Sequence, residues 1–181
     1  TSVLNKPSFS EKIGESWELS SLENNKSIVS NGSFAGKNIT EIISQHKGNI
    51  VGNKIYKEFG NEFPLLFKFL DASENVSIQV HPDNETAKRK HESLGKTEMW
   101  YVIDAESDTK IVAGFNKRIT KKELLDHIHN QTIEEVLNFH ETEKGDVFFI
   151  NTGVIHALGK GAMVAEIQQS SDITYRVYDY N

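Results

Sequence analysis

The 181-residue chain has no cysteine and no apolar stretch as long as a transmembrane helix requires. Without cysteine, disulfides and thiolate metal sites are excluded, so any metal must be held by histidine, carboxylate or amide groups. The first residues, 1–7, also lack the apolar core of a signal peptide. These absences predict a cytoplasmic protein with no membrane partner.

Basic charge is also scarce, since 20 Lys and Arg residues are scattered among 26 Asp and Glu residues for a formal net charge of −6. A protein that binds nucleic acid or an anionic membrane needs a basic patch, and the sequence contains none. At this length, with 37% hydrophobic residues, the chain can bury one sizeable core. We therefore expect a single domain over residues 1–181 and no nucleic-acid partner.

Short runs of β-branched, aromatic and other apolar residues, separated by Gly, Asn and Asp, dominate the parts of the chain that can form a core. This pattern is typical of an antiparallel fold with many strands, so we predict a mainly β protein. The predicted strands cover residues 27–29, 65–70, 76–80, 99–103, 110–113, 147–150, 163–167 and 173–178.

Three capping-box patterns predict helix starts, at Asn38, Thr120 and Thr132, because each is followed three residues later by glutamate. The last two predict a helical pair over residues 120–139, within an excursion from the sheet at about 118–140. Residues 83–91 are rich in charge and predict a further helix on the surface.

Four side chains of metal-ligand type lie at the ends or on one face of predicted strands. Gln79 and His81 share one face of a strand whose other face is apolar, at Val76, Ile78 and Val80. An unpaired amide and imidazole facing a protein interior would carry a desolvation cost that a metal relieves. Glu98 is the first residue of a later predicted strand, and His156 follows a glycine turn that directs it back across the sheet. We therefore predict a metal site with four ligands: Gln79, His81, Glu98 and His156.

This nitrogen and oxygen set suits Zn²⁺, with Mn²⁺, Fe²⁺ and Co²⁺ as competitors. The alternative is that each histidine is a surface or hydrogen-bonded structural residue, which is the commoner case for any one taken singly. We give that interpretation to the five others, which lie in polar or helical contexts: His46, His91, His127, His129 and His140.

Polar residues also alternate on the last two predicted strands, with Glu166, Gln168 and Ser170 on one and Thr174, Arg176 and Tyr178 on the next. One interpretation is a buried ion pair between Glu166 and Arg176 on adjacent strands. The functional alternative makes Arg176 an anion stabiliser and Glu166 a proton carrier near the metal.

The stretch from Gly145 through Asn151 and Gly153 to His156 resembles the second cupin motif, with Asn151 where many cupins have proline. Gln79, His81 and a distant Glu98 replace the first cupin motif, and this replacement resembles the type I mannose-6-phosphate isomerases. Further stretches resemble the short bacterial form of that family, in collinear order from residue 13 to the end: residues 13–20, 63–72, 95–101 and 171–179.

The resemblance implies a cupin-type antiparallel jelly-roll barrel with a few short peripheral helices. It implies one zinc ion per chain on Gln79, His81, Glu98 and His156, and it places the family's catalytic arginine at Arg176. Lys96 and Glu166 match polar residues of the family's pocket. The family's opening strand and its C-terminal β domain find no counterpart in residues 1–181, so we also expect exposed strand edges and self-association through them.

The activity that the resemblance implies is a zinc-dependent aldose–ketose isomerisation, between mannose 6-phosphate and fructose 6-phosphate, through an enediolate. Glu166 is a candidate base if burial raises its pKa, and Lys96 is another; the sequence does not choose between them. Two other functions stay open: a non-catalytic cupin that binds sugar phosphates, and a metal cupin enzyme of another class.

Overall fold

The computed structural model describes residues 14–180 and confirms the predicted mainly β class. The amino-terminal segment 1–7 considered above lies outside the described residues. Ten strands form two five-stranded antiparallel sheets. The strands are β1 Glu15–Leu19, β2 Leu65–Asp71, β3 Ile78–Val80, β4 Glu98–Ala105, β5 Lys110–Phe115, β6 Leu137–Glu141, β7 Val147–Ile150, β8 His156–Leu158, β9 Ala162–Gln169 and β10 Tyr175–Tyr178.

The first sheet has the order β1-β2-β9-β4-β7 and the second has the order β10-β3-β8-β5-β6. The main core lies between them, because one buried cluster combines Trp100, Val102 and Val164 of the first sheet with Ile111 and Leu158 of the second. Side chains alternate between the two faces of a strand, so inward apolar residues at every second position create this core.

The outer face of the second sheet is covered by the excursion between β5 and β6. Val112 and Ala157 are register partners and point away from the main core. They pack in a second buried cluster with Ile133 and Leu137, against which Leu124 of the excursion also packs. The excursion therefore covers the outer face of the second sheet and lies away from the space between the two sheets.

Helices are short and surround the sheets. Asn38 and Thr120 form the predicted capping boxes, each with its glutamate three residues on, and the predicted helix at 83–91 begins after Asp83, whose side chain accepts from Thr86 N. None of the helices within residues 14–180 could cross a bilayer. They are α1 Ile39–His46, α2 Gly48–Val51, α3 Asn53–Phe59, α4 Asn84–His91 and α5 Lys121–His129, with 3₁₀ turns at Glu23–Asn25, Gly32–Phe34 and Ile133–Val136.

The predicted helical pair over residues 120–139 is wrong in its second half. Thr132 makes no side-chain cap, and only a four-residue 3₁₀ turn follows it. Ile133, Val136 and Leu137 are all almost completely buried, and Leu137 already pairs with Phe115 of β5. Burial of these apolar groups against the sheet outweighs the local preference for a helix.

Candidate metal centre and its pocket

Three of the four predicted ligands converge between the two sheets. His81 directly follows β3, Glu98 is the first residue of β4, and His156 is the first residue of β8. Their potential ligand atoms all lie within 4.8 Å of one another, and each residue is at most 1% exposed. Glu98 comes from the first sheet and the two histidines from the second, so the cluster joins the two layers.

The positions of the two imidazoles depend on the turn before β8. Gly153 has a positive φ of 79°, a conformation that most side chains disfavour, and its N–H donates to His81 O at 2.9 Å. This contact brings the chain entering β8 next to the end of β3. As a result, His81 Nε2 lies 3.1 Å from His156 Nε2.

The other ring nitrogen of each histidine faces a backbone carbonyl. His81 Nδ1 lies 3.0 Å from Ile173 O, and His156 Nδ1 lies 2.9 Å from Val154 O. Because a carbonyl only accepts, these contacts assign the hydrogen to Nδ1 in both rings and leave Nε2 with a lone pair. Histidines that bind metals are usually oriented by such a contact.

The Glu98 carboxylate faces both of these Nε2 atoms. Its Oε2 lies 3.3 Å from His81 and its Oε1 lies 3.2 Å from His156. With the hydrogens on Nδ1, four acceptor atoms face one another, and both Glu98 oxygens are buried without a hydrogen-bond donor among residues 14–180. A divalent cation satisfies such a group of acceptors, so the residues present fit a metal.

The surroundings of Glu98 and His81 favour the charge states that these two side chains have as metal ligands. Burial alone would raise the pKa of Glu98, but its contacts with His156 and His81 and the charge of Lys96 lower it. Burial lowers the pKa of His81 in spite of the adjacent Glu98. Glu98 is therefore a carboxylate and His81 a neutral imidazole, as metal binding requires.

Gln79, the fourth predicted ligand, lies beside the cluster in the second sheet. It is the register partner of His156 on β8 and of Arg176 on β10. Cross-strand partners in an antiparallel pair point to the same face, and Gln79 lines the cavity next to the cluster.

Lys96 contributes a buried positive charge next to the cluster. Its Nζ lies 3.1 Å from Glu98 Oε2 and 3.2 Å from His81 Nε2, and the residue is 5% exposed. The preceding Gly95 packs tightly on the start of α4, since a Cβ there would lie 2.9 Å from Pro82 O and closer still to the next two residues. Only glycine permits this approach, which brings Lys96 to the centre.

Glu166 lies on the inward face of β9. Its Oε2 accepts a 2.8 Å hydrogen bond from Trp100 Nε1, and its Oε1 lies 3.6 Å from Lys68 Nζ. Burial, followed by the negative charge of Glu98, raises the pKa of Glu166. The suggested ion pair with Arg176 is wrong, because β9 and β10 are not adjacent strands and the exposed Arg176 pairs with Asp179, whereas the buried Glu166 faces Lys68.

Lys68 is a pocket residue that the sequence analysis missed. It is 8% exposed and is the register partner of Glu166, so it points into the space between the sheets. Its Nζ also lies 3.8 Å from Glu15 Oε2 and 4.7 Å from the centre of the Trp17 ring. The sequence feature that indicates this direction is the alternation of Leu66, Lys68 and Leu70, since residues two apart in a strand share a face and the lysine therefore lies on the apolar face.

Arg176 is not brought into contact with the cluster. It lies on the edge strand β10, opposite Gln79 in the register. Its side chain is 63% exposed and forms an ion pair with Asp179, to which Nε donates at 2.8 Å. The guanidinium therefore lies at the protein surface and not at the cluster.

A cavity of about 480 Å³ opens beside the cluster. It is large enough for a small polar metabolite. Polar and charged side chains from both sheets and from their connections line it, among them Lys68, Gln79, Lys96, Glu166 and Thr174, together with Trp100.

Comparisons with known proteins agree with this architecture. A family model described as the catalytic domain of type I phosphomannose isomerase matches residues 2–97. Mannose-6-phosphate isomerase ManA of Bacillus subtilis is 40% identical over 173 residues, which are 95% of this chain and 53% of that protein. The enzyme of Streptococcus mutans is 41% identical over 172 residues, again 95% of this chain and 52% of that protein.

Among solved structures, mannose 6-phosphate isomerase from Bacillus subtilis matches with a TM-score of 0.85 and 41% identity, over 95% of this chain and 53% of that one. A zinc-bound mannose 6-phosphate isomerase matches with a TM-score of 0.67 at 16% identity, over 91% of this chain and 62% of that one, which supports the fold alone. The cupin-type jelly roll expected from the sequence is thus confirmed. The chain spans about half the length of the curated relatives.

Proposed function

The chain belongs to the type I phosphomannose isomerases, and from this premise we propose that it interconverts mannose 6-phosphate and fructose 6-phosphate with one zinc ion bound. The observation that carries the proposal is the buried group of His81, Glu98 and His156, which adjoins a cavity lined by Lys96 and Glu166. No other part of residues 14–180 brings three such ligands together.

We assign zinc to His81, Glu98, His156 and Gln79, the last from its register position and the family resemblance. When bound, zinc would polarise the oxygens at C1 and C2 of the sugar and stabilise negative charge on them. Glu98 lowers the net charge of the centre, and the Nδ1 contacts of the two histidines hold their Nε2 atoms toward it.

The reaction moves a proton from C2 to C1 of the open-chain sugar. A base takes the C2 proton, the electron pair of that bond forms a C1–C2 double bond, and negative charge develops on the C1 oxygen of the enediolate. Return of a proton to C1, with transfer of the C2 hydroxyl proton to the C1 oxygen, completes the isomerisation. No oxidant or reductant is consumed.

We assign the base to Glu166. Its raised pKa suits a group that accepts and returns a proton. Lys68 Nζ lies 3.6 Å from its carboxyl group and stabilises the carboxylate form, which is the form that accepts the C2 proton. Lys96 instead forms an ion pair with the Glu98 carboxylate, with its Nζ 3.1 Å from Oε2. Its ammonium would stabilise the negative charge of the enediolate.

The test of this function is the coupled assay of fructose 6-phosphate formation from mannose 6-phosphate. We expect turnover by the purified protein, its loss after chelation and its recovery on addition of zinc. Sugar-phosphate binding without turnover at saturating zinc would indicate the non-catalytic alternative. Oxygen-dependent turnover with bound iron would indicate another class of cupin enzyme.

Replacement of Arg176 by alanine tests the catalytic role that the family resemblance implies. In that role the guanidinium must exchange Asp179 for the substrate when the substrate binds, and its removal should lower kcat by about a hundredfold, as for other donors to a developing oxyanion. We expect zinc content and thermal stability to stay unchanged, because the side chain is exposed and its ion pair with Asp179 is a surface contact. Steady-state kinetics and metal analysis measure these effects. Arg118→Ala removes an exposed arginine near α5 and is the control; equal kcat values for the two variants would reduce Arg176 to its surface ion pair.

A further inference from the structure

The carbonyl that orients His81 lies on the connection between β9 and β10. Ile173 O accepts from His81 Nδ1 at 3.0 Å, and the residues between Gln169 and Tyr175 belong to neither strand. His156 differs, because its acceptor, Val154 O, lies only two residues before it. The orientation of His81 therefore depends on whatever holds this connection in place.

The side-chain amide of Gln168 holds the connection at its start. Its Nε2 donates to Ser171 O and to Gln169 O, the latter at 2.9 Å. Both partners are carbonyls, which only accept, so the orientation of the amide group is determined by its surroundings. One contact of the Gln168 amide therefore holds the connection at Ser171, and the other holds the end of β9 at Gln169.

Further hydrogen bonds extend this anchor to Ile173. Ser171 is completely buried, and its Oγ accepts from Ile173 N at 3.4 Å. Ile173 O in turn faces His81. A continuous series of hydrogen bonds therefore runs from Gln168 through Ser171 and Ile173 to the imidazole.

Gln168 also lies beside the other layer of the cluster. It is the register partner of Glu98 and is 1% exposed. Its Oε1 is buried and has no hydrogen-bond partner among residues 14–180, which is unfavourable for a buried acceptor. A methionine of similar size would leave no unpaired acceptor at this position. The presence of an amide is therefore explained by the hydrogen bonds that its N–H groups donate.

We propose that Gln168 is a positioning residue of the metal centre, which fixes the tautomer and ring orientation of His81 through the Ser171–Ile173 backbone. The proposal rests on the proposed function to the extent that it treats His81 as a metal ligand. Contacts directly behind a metal-binding histidine change metal affinity by about 10- to 100-fold. Gln168 acts through one further segment, and we expect an effect at the lower end of that range.

The test compares Gln168→Met and Gln168→Glu with the unmodified protein. Both substitutes are close to glutamine in size, and neither can donate two N–H groups to carbonyls. Zinc affinity is measured by competition with a chelator, and the imidazole N–H signals are recorded by ¹H–¹⁵N NMR without metal and with zinc. Ile43→Ala, in the buried face of α1, is the control for a general loss of stability.

We expect zinc affinity to fall about tenfold in both Gln168 variants and to stay within twofold in Ile43→Ala. In the metal-free protein, the His81 Nδ1–H should exchange at least tenfold faster while the His156 Nδ1–H is unchanged. An unaltered His81 signal together with unaltered zinc affinity would overturn the proposal. So would equal effects on the two histidines, which would indicate a general structural role.

The experiment separates this proposal from the proposed function. If the unmodified protein binds no zinc, the function fails, and the metal-free His81 signal still decides the role of Gln168. If neither variant folds, hydrogen exchange in the unmodified protein decides it. Both side-chain amide protons of Gln168 should then exchange far more slowly than those of the exposed Gln131; equal rates would overturn the proposal.

Discussion

Replacement of His81 by alanine is expected to release zinc and to reduce the isomerisation rate by about a thousandfold. His81 Nε2 is one of the three buried ligand atoms that converge at the centre. Its loss leaves His156, the carboxylate of Glu98 and the proposed fourth ligand Gln79 to hold the ion. A metal that polarises substrate oxygens contributes several kcal/mol, and about 4 kcal/mol corresponds to a thousandfold in rate. Metal analysis after gel filtration and the coupled assay measure the two effects.

The matched control is His127→Ala. His127 lies on α5, where its Nδ1 contacts Thr132 Oγ1 at 2.9 Å, on the far side of the second sheet from the cluster. This variant should retain zinc and activity. Equal zinc content in the two variants would contradict the assignment of His81 as a ligand.

Replacement of Glu166 by glutamine is expected to lower kcat by about 10²- to 10⁴-fold, the usual contribution of an acid–base group. Glutamine preserves the volume and can still accept from Trp100 Nε1, which donates to Glu166 at 2.8 Å. Glu166 does not belong to the ligand cluster, so zinc content should be unchanged. The variant thus isolates the proton transfer from the metal site.

The pH dependence gives a second measurement of the same role. A base must be unprotonated to accept the C2 proton, so the rate should fall as the pH drops through the pKa of Glu166, which burial and the charge of Glu98 raise. Glu166→Gln should lack this acidic limb. Glu141→Gln, on the exposed face of β6, should keep the normal rate and profile; a Glu166 variant that also kept them would leave the base unassigned.

Much of the fold could be predicted because its central strands carry a strong local signal. Residues 147–150 form a continuous apolar run and residues 65–70 are apolar except for Lys68, and the structure has strands at Leu65–Asp71 and Val147–Ile150. The strands that were missed are short or mixed: Glu15–Leu19, Leu137–Glu141 and His156–Leu158. Helices α2 and α3 were also missed. Pairing with neighbours that are distant in sequence decides the state of such strands.

The site divides in a similar way. The convergence of His81, Glu98 and His156 follows from their places at strand ends and from the family resemblance, and the structure brings them together. Lys68 was missed because a lysine in an apolar strand is usually assigned to the solvent face, and its direction becomes clear only from its register with Glu166. For Arg176, sequence position gives a place on β10 but does not give the direction of a long, flexible side chain.

The position of β9 in the first sheet has a consequence for the order in which the chain can fold during synthesis. β9 lies between β2 and β4, and its pairing of Gln169 with Leu65 closes a loop of about a hundred residues. Until the ribosome has released Ala162–Gln169, β2 and β4 lack the strand that joins them. Until then their apolar faces stay open to chaperones or to aggregation, and the first sheet is completed only when β9 has been made.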